Sequence, residues 1–197
     1  MLIALDFESD AIDTRPNYPP KPCGLAIKYD GGAASYLAWG HPTANNCTYD
    51  YALRTLRDIL AVETDEFIFH NAPFDCSIIE ENMWLIVPWE RVHDTMVLAF
   101  LTDPFGELSL KPLAEKLLGQ PPVEQEAVRE WLIGHGVCRA NDKAWGAHIA
   151  KAPGDLVGTY AIGDVDRTLG LYKHYMAQMT APAIVEPEPD MSAWSSK

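Results

Sequence analysis

The run "LIALDFES" at residues 2–9 constrains this chain more than any other stretch. Residues 2–7 are nearly all apolar, which predicts a short strand for the middle of a sheet. Side chains alternate along a strand, so Asp6 and Glu8 emerge on one face. Two anions side by side at the end of a buried strand repel and lose hydration unless a cation offsets them. Either the strand has already ended and the pair is solvated, or the fold brings positive charge to it.

The remaining segments predict what surrounds that strand. "CGLAIKYDGGAASYLAWG" reads as two strands about the turn Asp30-Gly31-Gly32. "YALRTLRDILA" repeats Leu53, Leu56, Ile59 and Leu60 at helical spacing. "EFIFH" is strand-like and leads into "NAPFDCSIIEENM", where Pro73 suits a helix's first turn. "WERVHDT" predicts a short strand running into a helix at about Thr95, with Asp94 as its N-cap. "LSLKPLAEKLLG" is a helix with Ser109 as N-cap, Pro112 in its first turn and Gly119 as its stop. One or two helices fall within 120–153, and a last one spans roughly 154–177. The order predicts an α/β domain with a mixed five-stranded sheet flanked by helices.

The chain's 197 residues suffice for one domain with a sizeable core. It has no run of 18 apolar residues and no basic leader, which predicts a cytoplasmic protein without a membrane partner. Cys23, Cys47, Cys76 and Cys138 are widely spaced and read as reduced thiols. Residues 178–197 hold Pro182, Pro187, Pro189 and several acids, which predicts a disordered tail or linker, with Trp194 as a candidate anchor for a partner.

Two other places offer carboxylates that could meet Asp6 and Glu8. In "FIFHNAPFD" an apolar strand ends at His70, and Asn71, Phe74 and Asp75 occupy the turn into a helix. Ligands of α/β sheets bind at such strand ends, although Asn71 could cap the helix and Asp75 could favour its positive end. In "YAIGDVDRTLGLY", Tyr160 and Asp164 share a helix face, with Ile162, Val165, Leu169 and Tyr172 as a stripe roughly opposite. If the sheet gathers Asp6, Glu8, Asp75 and Asp164, their all-oxygen ligation favours Mg²⁺ or Mn²⁺ over zinc. Two such ions suit phosphodiester hydrolysis, with Tyr160 positioning the attacking water. The formal charge of −13 opposes nonspecific attraction to nucleic acid, but divalent metal at a carboxylate site inverts the local field. His93, His135 and His148 read as structural or exposed. Lys111, Lys116, Arg129, Lys143, Lys151 and Arg167 are scattered, and a solvated face suffices for most of them.

The ordered triplet "DFE", "NAPFD" and "YAIGD" resembles the tyrosine-containing branch of the DEDD superfamily of 3′–5′ exonucleases. The proofreading domains of bacteriophage family A DNA polymerases are the nearest likeness, over roughly residues 1–177. That resemblance implies an RNase H-like fold and release of 5′-mononucleotides from a DNA 3′ end. It also implies that Asp6 bridges two divalent cations, with Glu8 and Asp164 completing the tighter site and Asp75 supporting the second. Tyr160 and Glu8 would orient water, and Asn71 and Phe74 would contact the terminal nucleotides. Ser9 departs from the threonine more usual in that family but keeps a hydroxyl. The length leaves no room for a polymerase, so a separately encoded exonuclease or an isolated proofreading domain is expected, working beside a separate DNA polymerase in an infected bacterial cytoplasm. A ribonuclease D-like RNA exonuclease and an inactive scaffold for a polymerase are the competing readings.

Overall fold

A computed structural model describes residues 1–180. Five strands form one sheet in the order β3-β2-β1-β4-β5. Strand β1 (Leu2–Ser9) lies at its centre, antiparallel to β2 (Pro22–Tyr29) and parallel to β4 (Glu66–Phe69). Strand β3 (Ala34–Ala38) closes a hairpin on β2, and β5 (Val92–Asp94) extends the parallel side. The mixed five-stranded sheet expected from the sequence is therefore present.

The alternation of β1 divides the core in two. Ile3, Leu5 and Phe7 pack with Leu56 and Ile59 of α1 (Tyr49–Leu60) and with Cys76 of α2 (Ala72–Ser77). On the other face Ala4 joins Val157, Ala161, Val165 and Leu169 of the long helix α6 (Gly154–Met179). Asp6 and Glu8 continue the Ala4 row, so the same alternation that builds the core aims both acids at α6. The pairing shifts between Glu8 and Ser9, a bulge that ends the regular ladder directly after Glu8.

Close approach at the sheet's far side depends on a missing side chain. A Cβ on Gly24 would fall 1.8 Å from the Tyr36 hydroxyl, so the Tyr36 ring can lie across β2 there only because residue 24 has no side chain.

Several boundaries differ from those read in the sequence. Helix α2 continues as a wider π-turn over Ile78–Asn82, and a 3₁₀ turn at Trp89–Arg91 precedes β5. Helix α3 (Thr95–Thr102) begins where expected, and Asp94 caps it by accepting from Met96 N at 2.9 Å. Helix α4 (Leu110–Leu118) stops at Gly119, whose φ of +66° suits glycine. Ser109 does occupy the N-cap position of α4, but its side chain does not cap. Glu107 instead accepts from the Leu108 and Ser109 N–H groups. The 120–153 segment holds α5 (Gln125–Gly134) and a 3₁₀ turn at Trp145–Lys151.

The stripe on α6 also needs correction. Val165, Leu169 and Tyr172 are buried, but Ile162 is half-buried, and Asp164, Thr168 and Leu171 are buried as well. Helix α6 is covered on more than one side because α4 packs over it: Leu171 and Tyr175 join Leu113 in a third apolar cluster. Helix α6 runs two residues past the expected end at 177; most of the expected tail, with Trp194, lies outside the described residues. No helix among the described residues is long and apolar enough to cross a membrane.

Candidate active site

The parallel strands β1, β4 and β5 end on one side of the sheet, and the acids collect there. Asp6, Glu8 and Asp164 each place one carboxylate oxygen within 4.8 Å of the others. Asp75, buried in α2, stands beside this trio rather than in it. Its Oδ1 accepts from Phe7 N at 2.9 Å, which fixes α2 against β1 between Asp6 and Glu8. The four carboxylates expected to meet thus do so as three plus one.

Burial drives their electrostatics. Burial pushes the Asp6 carboxyl up to about 7, and Asp164 adds to the rise while Lys111 opposes it. Glu8 and Asp75 are also raised well above the ordinary carboxylate range, first by burial and then by the Asp6 charge. Such a cluster is unfavourable unless positive charge enters it, and hard oxygen donors suit a divalent cation such as Mg²⁺ or Mn²⁺.

This sets a pH dependence. An acid that holds its proton more tightly folded than unfolded contributes stability below its unfolded value, lost as pH rises through its folded value. For Asp6 that window runs from 3.8 to about 7. In a chelator, the melting temperature should therefore fall as pH climbs across this range, and saturating Mg²⁺ should flatten the decline. A melting temperature constant over the window in chelator would contradict the clustered, ion-free acids.

Tyr160 stands beside Asp164, half-buried, with Trp145 edge-on to its ring at 6.2 Å. Burial and then Asp164 hold its phenol well above the ordinary value, which keeps it a neutral hydroxyl. Phe74 and Glu8 line a cleft of about 400 Å³ together with Ser9–Ile12, Lys143 and Gly146. That size suits a nucleotide-scale ligand.

Asn71, just before α2, is exposed, with φ of +69°, and is not among the residues lining that cleft. Its side chain does not cap α2. Asp94 does that work, accepting from the backbone N–H groups of Asn71 and Ala72 at 2.9 Å each. One carboxylate thus caps α3 and also pins the start of α2. His93 meets Glu66, His135 stacks on Trp131 and His148 faces Asp142, all outside the acidic trio as expected.

Two of the six scattered cations, Lys111 and Arg167, do not sit on the solvated face expected for most of them. Lys111, in the first turn of α4, donates to Tyr160 Oη and to Asp164 Oδ2 at 2.7 Å each. Arg167, 4% exposed, donates to Asp164 Oδ1 at 3.2 Å, to Glu124 through both terminal nitrogens and to Pro121 O at 3.1 Å. Glu124 is held below its ordinary value by Arg167 despite its partial burial. A cation in a helix's first turn opposes the helix dipole only mildly, so the local sequence names no partner for Lys111.

A search of curated protein sequences finds no match. Among solved structures, Brucella melitensis NrnC with bound Mg²⁺ is 17% identical, with a TM-score of 0.59 over 90% of this chain and 73% of that one. The Trypanosoma brucei RNase D complex with GMP is 15% identical, with a TM-score of 0.62 over 92% of this chain and 52% of that one. The Aedes aegypti Nibbler EXO domain is 12% identical, with a TM-score of 0.58 over 91% and 79%. These likenesses establish the fold, which is the RNase H-like one. The family model for 3′-5′ exonuclease domains of the DNA polymerase A type matches residues 2–180. The chain, from its first strand to the end of α6, belongs to the 3′-5′ exonuclease family.

Proposed function

We propose that this protein is a divalent-metal-dependent 3′–5′ exonuclease that shortens DNA from its 3′ end and releases 5′-mononucleotides. The convergence of Asp6, Glu8 and Asp164 from two distant segments, with Asp75 and Tyr160 at its edge, carries this reading. Asp6, Glu8 and Asp164 would hold the first cation, and Asp6 with Asp75 a second. Bound ions would supply charge neutralisation at the scissile phosphate and lower the pKa of a water. The chain's own part is alignment, which dominates phosphoryl chemistry. Glu8 and the Tyr160 hydroxyl orient the attacking water. Phe74 packs against the terminal nucleotide in the cleft, and Asn71, three residues earlier, also contacts the terminal nucleotides.

The family match to exonucleases of the DNA polymerase A type favours DNA, and with it a role in proofreading beside a separate polymerase in phage replication. RNA is the second reading, because solved structures of similar fold include Trypanosoma brucei RNase D in complex with RNA U12. Matched 5′-labelled DNA and RNA strands, incubated with the protein in Mg²⁺ or Mn²⁺, separate the two. A ladder shortening from the 3′ end of DNA supports the first, and preferential RNA shortening replaces it with the second. No metal-dependent shortening of either would end the nuclease reading.

Tyr160→Phe tests the water-orienting role. It removes one hydroxyl and keeps the ring, so turnover should fall roughly 10- to 100-fold, in line with losing one well-placed hydrogen bond in the transition state. Mn²⁺ affinity should stay within a few-fold of wild type. Unchanged turnover would remove Tyr160 from the reaction.

A further inference from the structure

The acidic pocket already contains a cation, and it belongs to the chain. Lys111 Nζ lies 2.7 Å from Asp164 Oδ2 and 2.7 Å from Tyr160 Oη, and 4.1 Å above the centre of the Tyr160 ring. The ammonium therefore uses the lone pairs of the one α6 carboxylate that completes the trio with Asp6 and Glu8. The other oxygen of Asp164 is engaged by Arg167.

These two cations are not equally able to move. Arg167 is 4% exposed and tied to Glu124 and to the Pro121 carbonyl besides Asp164. Among the described residues, Lys111 is joined to the pocket through Asp164 and Tyr160 alone, its side chain is 21% exposed, and it springs from the first turn of a helix. A Mg²⁺ or Mn²⁺ ion on Asp164 Oδ2, at an ordinary bond length of about 2.1 Å, could be no more than about 5 Å from an ammonium still bonded to that oxygen. Like charges that close repel strongly in a site shielded from water.

We propose that Lys111 is an exchangeable internal counter-ion: it neutralises the acidic pocket while no metal is bound, and the incoming divalent cation must displace it from Asp164. The proposal rests on the nuclease reading, since it takes the trio to be the metal site. It adds that the metal affinity of this protein is set partly by competition with its own lysine. Displacement also frees the Tyr160 hydroxyl from the ammonium, so metal entry and release of that phenol are one event.

Mn²⁺ titration of the intact chain at pH 8, by calorimetry or by loss of the free-ion electron paramagnetic resonance signal, tests this without any substrate. Lys111→Met keeps the length and apolar stem of the side chain but removes the competitor, and it should bind Mn²⁺ at least tenfold more tightly than wild type. Lys111→Arg keeps the charge, and its affinity should stay within about threefold of wild type. In chelator, Lys111→Met should melt below wild type, and Mn²⁺ should raise its melting temperature by more than it raises that of wild type. This thermal reading still decides the matter if Lys111→Met is too unstable in chelator for calorimetry. Equal or weaker Mn²⁺ binding by Lys111→Met would overturn the exchange while leaving the nuclease reading intact. Wild-type binding no tighter than that of an Asp6→Ala control would overturn both.

Discussion

Replacing Asp6 and Glu8 together by alanine is expected to abolish metal-dependent strand shortening, a loss on the order of 10³-fold or more. Divalent ions at a reacting phosphate supply several kcal/mol of charge stabilisation, and each 1.36 kcal/mol is a factor of ten in rate. Asp6 and Glu8 provide two of the three convergent carboxylate oxygens, so the pair cannot be lost without losing the ion. The fold should survive. Both acids are raised in pKa by burial, so their ionised forms strain the protein when no metal is bound. The double variant should accordingly melt, in chelator at neutral pH, at or above the wild-type temperature. Retained hydrolysis by a purified, folded double variant would refute the assignment, and loss of activity with loss of folding would not support it.

The largest expected effect on stability belongs to Arg167→Met. Arg167 is buried against two carboxylates, Glu124 and Asp164, and against the Pro121 carbonyl. Removing one partner of a buried charge cluster typically costs about 3–5 kcal/mol, because the remaining charges are left without compensation. For a chain of this size that corresponds to a fall of roughly 10 °C in melting temperature. Glu124→Gln should cost less, since Arg167 keeps its bond to Asp164 and its carbonyl partner. Thermal denaturation of the two variants side by side checks the order. Equal, small losses would mean that Arg167 is merely accommodated.

The parts of the site legible in the sequence were those written in local periodicity. The two-residue period of β1 put Asp6 and Glu8 on one face, and the four-residue spacing on α6 did the same for Tyr160 and Asp164. The strand-to-helix junction at His70–Asp75 marked the third contributor. Joining these segments required the ordered resemblance to a known family, because no local pattern says which strand end faces which helix. Lys111 was not legible for the same reason. It is 53 residues from Asp164, and on its own helix it looks like an ordinary exposed lysine. The caps failed differently. Asn71 and Ser109 are good capping residues by type, but neither side chain caps: Asn71 sits at φ of +69° while Asp94 takes the first N–H groups of α2, and Glu107 takes the Leu108 and Ser109 N–H groups before α4.

The irregularity after Glu8 divides the labour of the central strand at a single peptide. Before it, Ile3 and Ala4 pair with both β2 and β4 and Leu5–Glu8 pair with β2, so the register that aims Asp6 and Glu8 tolerates little change. After it, Ser9 pairs with Pro22 in a shifted register, and Ser9–Ile12 wall the cleft. Descendants of such a chain could therefore remodel what they accept at the 3′ end, residue by residue along that wall, without disturbing the chemistry next door.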